Sequence, residues 1–345
     1  MSRRIVTPNE LDLESVGRRD YWVHLSSSNT LVPHLIPLTV MVGREAESNK
    51  GLVAFGGTHG NEYEGPVAIK NLLRELRTED VLGRLILVPV LNVGAFNVGT
   101  RESTADDGLN LNRVFVAGAG KSQALGGITH RIVAFVRDFI WPFVHIVIDL
   151  HSCGEANRCA HYVSYNLHDD PKCTAEREEL ARWFGTPLLV RRPIPSPTSK
   201  LLIDDAERQG KMAFGSELGW GESVDVQGVR YARHGVLAAA IHHRQLRGET
   251  EPIGHHADCT QRLVEPGNKS AWVLAPYRGH YEPLVECGER VTRGQTVGYL
   301  HDFKHIDEEP HAIVAGVDGF VLSQAWAAPV EPGQSIFSVV PQVER

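Results

Sequence analysis

A chain of 345 residues with 42% hydrophobic and 22% charged residues has the composition of an ordinary globular protein, long enough for two domains or for one large domain with an extension. Its net charge of −7, with no basic block, speaks against a nucleic-acid partner, and no apolar run approaches the length of a membrane span. Its five cysteines are odd in number and match neither a disulfide framework nor a cysteine zinc site, so reduced thiols in a cytoplasmic protein are the expectation.

The N-terminus carries Arg3 and Arg4 with no apolar core behind them, unlike a signal peptide. Residues 20–43 contain two short apolar stretches that read as edge strands of an antiparallel unit. Gly51-Leu52-Val53-Ala54-Phe55 reads as a buried strand ending in paired glycines, and 66–77 as a helix opened by Pro66. Leu85 to Val90 is a second buried strand. The segment 92–127, rich in Gly, Asn and Asp, reads as a loop, and a loop of that length is usually functional. Helical periodicity over 128–143 leads into a third buried strand, 145–150. Helices are expected over 176–184 and 231–246, with short strands at 188–190 and 212–214.

This alternation predicts an α/β fold, a mixed sheet flanked by helices, with its site beyond the carboxyl ends of the strands. His59, Asn92 and His151 all fall just past such ends, and Glu217 lies shortly after another. A catalytic domain over 1–250 is followed, from a change of composition near Glu251, by a smaller all-β domain over 251–345. There short apolar strands alternate with Gly-containing turns, as in a small barrel or sandwich. The pattern resembles the barrel-sandwich modules that carry lipoyl or biotinyl groups, but no lysine stands between flanking methionines, so a lid or assembly module is expected.

In Phe55-Gly56-Gly57-Thr58-His59-Gly60-Asn61-Glu62 an imidazole and a carboxylate stand three residues apart, directly after a strand. A bare His-x-x-Glu arises often by chance. The strand before it, the glycines that permit a tight turn and the helix after it give this one weight. His151, at the end of a second strand, supplies a third ligand. Two histidines and one carboxylate, with a fourth position open to water, form the ligand set of a hydrolytic zinc site. Asp149 stands where it would orient one of the ligands.

Gly57-Thr58-His59-Gly60-Asn61-Glu62, Leu111-Asn112-Arg113-Val114-Phe115, Asp149-Leu150-His151-Ser152 and Gly215-Ser216-Glu217-Leu218-Gly219 resemble, in order, the signature blocks of the succinylglutamate desuccinylase/aspartoacylase family of zinc carboxypeptidase-like enzymes. The resemblance covers residues 50–245, and the C-terminal module is similar to that of longer bacterial members. It implies a zinc amidohydrolase that removes a small acyl group from an N-acyl amino acid by attack of water at the metal. One Zn²⁺ per chain is then held by His59, Glu62 and His151. Glu217 matches the glutamate that takes a proton from that water and returns it to the leaving amine. Arg101 matches the oxyanion-stabilising arginine, and Asn112 and Arg113 the pair that holds a substrate carboxylate.

One departure concerns the substrate. Where aspartoacylase-type enzymes place a further arginine for the side-chain carboxylate, this chain reads Leu202-Ile203-Asp204-Asp205-Ala206-Glu207. An amphipathic helix explains the run simply. The sharper expectation is an acid facing the pocket and preferring a cationic side chain, as in the N-acetyl-diaminobutyrate deacetylase branch of the family. Arg191 and Arg192 keep an acidic side chain open, and Tyr162, Tyr165 and Tyr231 are candidates for a substrate-facing tyrosine. A carboxypeptidase-like peptidase and an inactive binding module are the alternatives. The ligand set and the glutamate are all present, which disfavours the inactive module, and the C-terminal module suggests a homo-oligomer.

Overall fold

The computed structural model of the protein describes residues 4–26, 34–116, 126–155 and 157–343. Arg3 of the N-terminal pair and 117–125 of the expected long loop lie outside the described residues. The first half runs β1 (Arg4–Val6), β2 (Gly17–Leu25), β3 (His34–Val42), β4 (Gly51–Gly56), α1 (Glu64–Glu75), β5 (Arg84–Val88), α2 (Val93–Val98), α3 (Ile128–Phe135) and β6 (Val144–His151). It continues through β7 (Asn157–Cys159), β8 (Tyr162–Asn166), α4 (Pro171–Arg182), β9 (Leu188–Arg192), α5 (Leu202–Arg208), β10 (Met212–Glu217), α6 (Val226–His242), α7 (Gly254–Ala257) and β11 (Arg262–Val264).

Ten of these strands form one mixed sheet in the order β1-β2-β3-β5-β4-β6-β10-β8-β9-β11. Its centre, β5-β4-β6-β10, is parallel, while β2-β3-β5 on one side and β8 against β10 on the other are antiparallel. All residues of β4 and β5 are buried, because helices cover both faces of the sheet. Two apolar clusters result, one holding Phe55, Phe115, Phe135 and Trp141 and the other Leu72, Phe184, Phe214 and Tyr231. Each such side chain, once buried, contributes roughly 1.5–3 kcal/mol, which makes the central strands a rigid platform.

The helices expected at 66–77, 176–184 and 231–246 all form, and each begins before the sequence pattern suggested. Asp170 and Asp225 cap the latter two by accepting from Lys172 N and Gly228 N, an early start signal that apolar periodicity does not register. The expected helix over 128–143 is α-helical only to Phe135 and then passes through a π turn and a 3-10 turn. Within the expected loop 92–127 stands α2, and β8 is a strand where none was expected.

The chain beyond Ala271 is β-structure, as expected: β12 (Trp272–Leu274), β13 (Gly279–Pro283), β14 (Arg290–Val291), β15 (Thr296–His301), β16 (His311–Val314), β17 (Gly319–Ala325), β18 (Pro329–Val330) and β19 (Ser335–Val340). They form two antiparallel sheets, β12-β19-β17-β14 and β16-β15-β13-β18, around one apolar core. Two strands tie the layers together: β11 joins the large sheet beside β9, and β7 pairs with β17. No described helix is long and apolar enough to cross a membrane.

Candidate active site

The site is assembled at and just beyond the carboxyl ends of three neighbouring strands. The turn after β4 carries His59 and Glu62, β6 ends in His151, and β10 ends in Glu217, the register partner of His151. Two glycines make the first turn possible. Gly57 sits at φ +60°, and a methyl on Gly60 would fall 2.1 Å from the backbone of Ala95 in α2. Gly60→Ala is therefore expected to displace the His59–Glu62 turn, lowering stability by about 1–3 kcal/mol and weakening metal affinity; thermal unfolding with and without added zinc checks both.

His59, Glu62 and His151 are all buried, and one ligand atom from each lies within 4.8 Å of the others. His59 Nδ1 faces Glu62 Oε1 at 2.8 Å and His151 Nδ1 faces Glu62 Oε2 at 2.8 Å. Each ring turns its other nitrogen to an oxygen: His59 Nε2 to Asn110 Oδ1 at 3.1 Å, His151 Nε2 to Asp149 Oδ2 at 2.7 Å. Asp149 is itself held by the Thr58 hydroxyl at 2.7 Å. With Nε2–H donated outward, both Nδ1 lone pairs point toward a carboxylate, an arrangement that a cation between them satisfies.

The electrostatics agree. Burial opposes the charged forms throughout. Even so, the His59 and His151 rings hold the Glu62 carboxyl well below its usual range, and Asp149 and Glu62 raise the His151 ring well above the usual imidazole range. These carboxylates demand positive charge beside them, which a bound dication would supply in place of a ring proton. The donor set, its burial and its outward hydrogen bonds therefore fit a divalent metal of the zinc kind.

Around this centre lies a pocket of about 310 Å³, lined by His59, His151, Glu217, Arg101, Asn112 and Arg113 among others. The seven residues matched to metal, catalysis or the substrate carboxylate thus gather here: six line the pocket, and Glu62 bonds two of their side chains. Glu217 Oε2 is buried with no hydrogen-bond partner among the described residues. Burial first, and the Glu62 charge second, push the Glu217 carboxyl up to about 8. Arg101 reaches Glu62 Oε1 at 2.8 Å. Asn112 accepts from Leu202 N at 2.8 Å and holds Nδ2 3.1 Å from His151 Nε2, while Arg113 bonds the Asn112 carbonyl. Burial lowers the Arg113 pKa, and the neighbouring Arg101 charge lowers it further.

Three expectations need correction. Asn92, read as a strand-end site residue, instead caps α2 and bonds Ser103. Neither acid of the 204–205 pair faces the pocket: Asp204 is taken by Arg192, Asn166 and Ser199, and Asp205 by Arg137, Trp141 and Arg208. Two carboxylates buried on α5 must be paired, and the arginines that reach them bind them there. The thiols are not all free either, since Cys153 and Cys159 form a disulfide and only Cys173, Cys259 and Cys287 remain as thiols. The pairing depends on β7 folding back against the turn after Glu217, which cysteine spacing does not encode.

The pocket also contains residues that the sequence left open or did not nominate. Tyr162 of β8 stands opposite Glu217 in the antiparallel register and lines the pocket, whereas Tyr165 bonds Glu178 and Tyr231 packs against His161. Arg192 lines it while paired to Asp204, and Arg191 is drawn off to Glu265. Asn110, beside His59 though not lining the pocket, had a signal in its place directly before the Leu111-Asn112-Arg113 block. Trp272, Leu322 and Val339 of the C-terminal sheets close one side, a contribution that only packing reveals.

A sequence model of the succinylglutamate desuccinylase/aspartoacylase catalytic domain matches residues 48–243. The chain is 30% identical over 311 residues to an N-alpha-acetyl-L-2,4-diaminobutyric acid deacetylase of Halomonas elongata, covering 90% of this chain and 86% of the relative. Its fold is similar to a crystal structure of a succinylglutamate desuccinylase/aspartoacylase from Rhodobacter sphaeroides, with TM-score 0.86 and 29% identity over 97% of this chain and 98% of the other. It is also similar in fold to the product-bound ectoine utilization protein EutE (DoeB) from Ruegeria pomeroyi, with TM-score 0.84 and 24% identity over 96% and 98% of the two chains.

Proposed function

The chain belongs to the succinylglutamate desuccinylase/aspartoacylase family, whose members are deacylating hydrolases, and on that premise we propose that it is a zinc-dependent amidohydrolase releasing a small acyl group from an N-acyl amino acid. The observation that carries the reading is the convergence of His59, Glu62 and His151 with Glu217 at one pocket. A dication held by those three side chains supplies Lewis acidity to the scissile carbonyl and acidifies water. Glu217, at the end of β10, takes the proton of the attacking water and passes it to the departing amine. Arg101, lining the pocket, stabilises the charge that develops on the carbonyl oxygen. Arg113 and Asn112 anchor a substrate carboxylate, for which a planar guanidinium is suited.

We assign residues 1–250 to the catalytic domain and 251–345 to a second, mostly β domain that restricts the pocket and lends the large sheet its end strand β11. Closure of one side by Trp272, Leu322 and Val339 favours small acyl amino acids over peptides, which would need an open groove. A cytoplasmic setting accords with the substrate class.

For the substrate we favour N-acetyl-diaminobutyrate, on the strength of the Halomonas elongata relative. A second reading, an acidic side chain, draws support from Arg192, although Asp204 already offsets its charge. A screen of N-acetyl, N-succinyl and N-formyl amino acids, with diaminobutyrate and aspartate derivatives included, separates them. We expect N-acetyl-diaminobutyrate to lead in kcat/KM by at least about tenfold, the discrimination that one or two pocket contacts supply. Cleavage of neither the cationic nor the acidic derivatives would overturn the reading.

A further inference from the structure

The disulfide stands in an unexpected place. Cys153 follows His151 by two residues, and Cys159 ends β7, where it pairs with Ser323 of β17. The loop between them runs along the turn after Glu217. Leu218 N donates to the His151 carbonyl at 2.9 Å, Cys153 N to Gly219 O at 2.8 Å, and Gly221 N to Gly154 O at 2.6 Å. Cys159 Sγ lies 3.9 Å from the same Gly219 oxygen. Both sulfurs come within 4.8 Å of a Glu217 carboxylate oxygen, yet neither cysteine lines the substrate pocket. Glu217 Oε2 is buried and has no hydrogen-bond partner among the described residues.

From this geometry we infer that Cys153 and Cys159 form a reversible redox site that sets the working state of Glu217, an inference resting on the reading of Glu217 as the base. Joined, the sulfurs carry no hydrogen and leave the Glu217 carboxylate free for water. Parted, they place two S–H donors within 4.8 Å of a Glu217 carboxylate oxygen, where a small shift of one thiol lets it donate to the carboxylate. The same cleavage frees the loop from β7, and with it the turn that holds Glu217 at the pocket. The bonded form is therefore the faster enzyme.

The exchange partner is a low-molecular-weight disulfide. Cys153, partly exposed where Cys159 is buried, attacks one of its sulfurs, forming a mixed disulfide and expelling one thiol. Cys159 then attacks Cys153 Sγ and expels the second. Two thiols are oxidised, one small disulfide is reduced, and the two protons leave on the two small thiols. A disulfide with such a role is of the transient, sensing kind rather than the permanent kind of secreted proteins.

The test equilibrates the full-length, zinc-loaded enzyme in buffers running from reduced to oxidised glutathione. Thiols are counted after denaturation, and kcat, KM and bound zinc are measured in parallel. Five free thiols should fall to three as the buffer becomes oxidising, since 5 − 2 = 3. Over the same range kcat should rise roughly tenfold, short of the effect of losing the base, while KM and zinc content hold steady. Cys159→Ser should sit at the lower kcat at every poise. A count fixed at three or at five, an equal kcat in both forms, or a redox response retained in Cys159→Ser would each overturn the inference. An enzyme inactive in both forms that still passes from five thiols to three would refute the coupling to Glu217 and, separately, the hydrolytic reading on which it rests.

Discussion

Glu217→Gln is expected to lower turnover by about 10²–10⁴-fold while zinc stays bound at about one ion per chain. The substitution keeps the size of the side chain and removes only its capacity to take a proton. Glu217 is not among the three clustered ligand residues, so metal retention should be untouched. The wild-type pH profile provides a second reading of the same group. A general base works deprotonated, so kcat/KM should climb with pH through the Glu217 pKa and then level off. Burial, then the nearby Glu62 charge, move that carboxyl from 4.5 up to about 8, and a bound dication draws it part of the way back. The acid limb should therefore fall between those values and vanish in the variant, leaving a low, flat profile. Undiminished turnover in Glu217→Gln would sink the mechanism.

The second large effect concerns the metal itself. Glu62→Gln keeps the shape of a buried side chain wedged between two imidazoles but removes the charge both rings face. Zinc content should drop from about one per chain to a small fraction, and activity with it, while far-UV circular dichroism stays as in the wild type. His151→Ala should do the same, without rescue by excess zinc. Asp149→Asn should cost less, about 10–100-fold in affinity, because Asp149 orients His151 and is not one of the three ligands. Inductively coupled plasma emission on dialysed protein measures all three. Full zinc occupancy in both Glu62→Gln and His151→Ala would move the metal site elsewhere.

Much of the site was legible because its residues sit where strands end. A buried strand announces itself by an unbroken apolar run, and the residue after it falls at the rim of the sheet whatever the rest of the chain does. That is why His59, His151 and Glu217 could be picked from three separate segments. Asn92 obeyed the same rule and was misjudged, since its amide capped a helix that the Gly-rich composition concealed. The acids of α5 misled for another reason. Composition shows that charge is present, but only packing shows whether a partner already neutralises it, and Asp204 and Asp205 were both spoken for.

Local pattern and spacing, then, determined the α/β sheet, the β-structure beyond Ala271 and the metal-ligand candidates, because each depends on neighbours a few residues away, while the chemistry expected of Glu217 and Arg101 came from the resemblance of four ordered sequence blocks to a known family. Tertiary structure alone decided which side chains share the pocket. Tyr162 meets Glu217 only through an antiparallel strand inserted into a parallel sheet, and Trp272 arrives from a chain segment 55 residues beyond it (272 − 217). Cys159 meets Cys153 only because β7 leaves the large sheet to pair with β17. Contacts of that kind depend on how distant segments pack, a choice made by the burial of whole faces and not by the residues that end up touching.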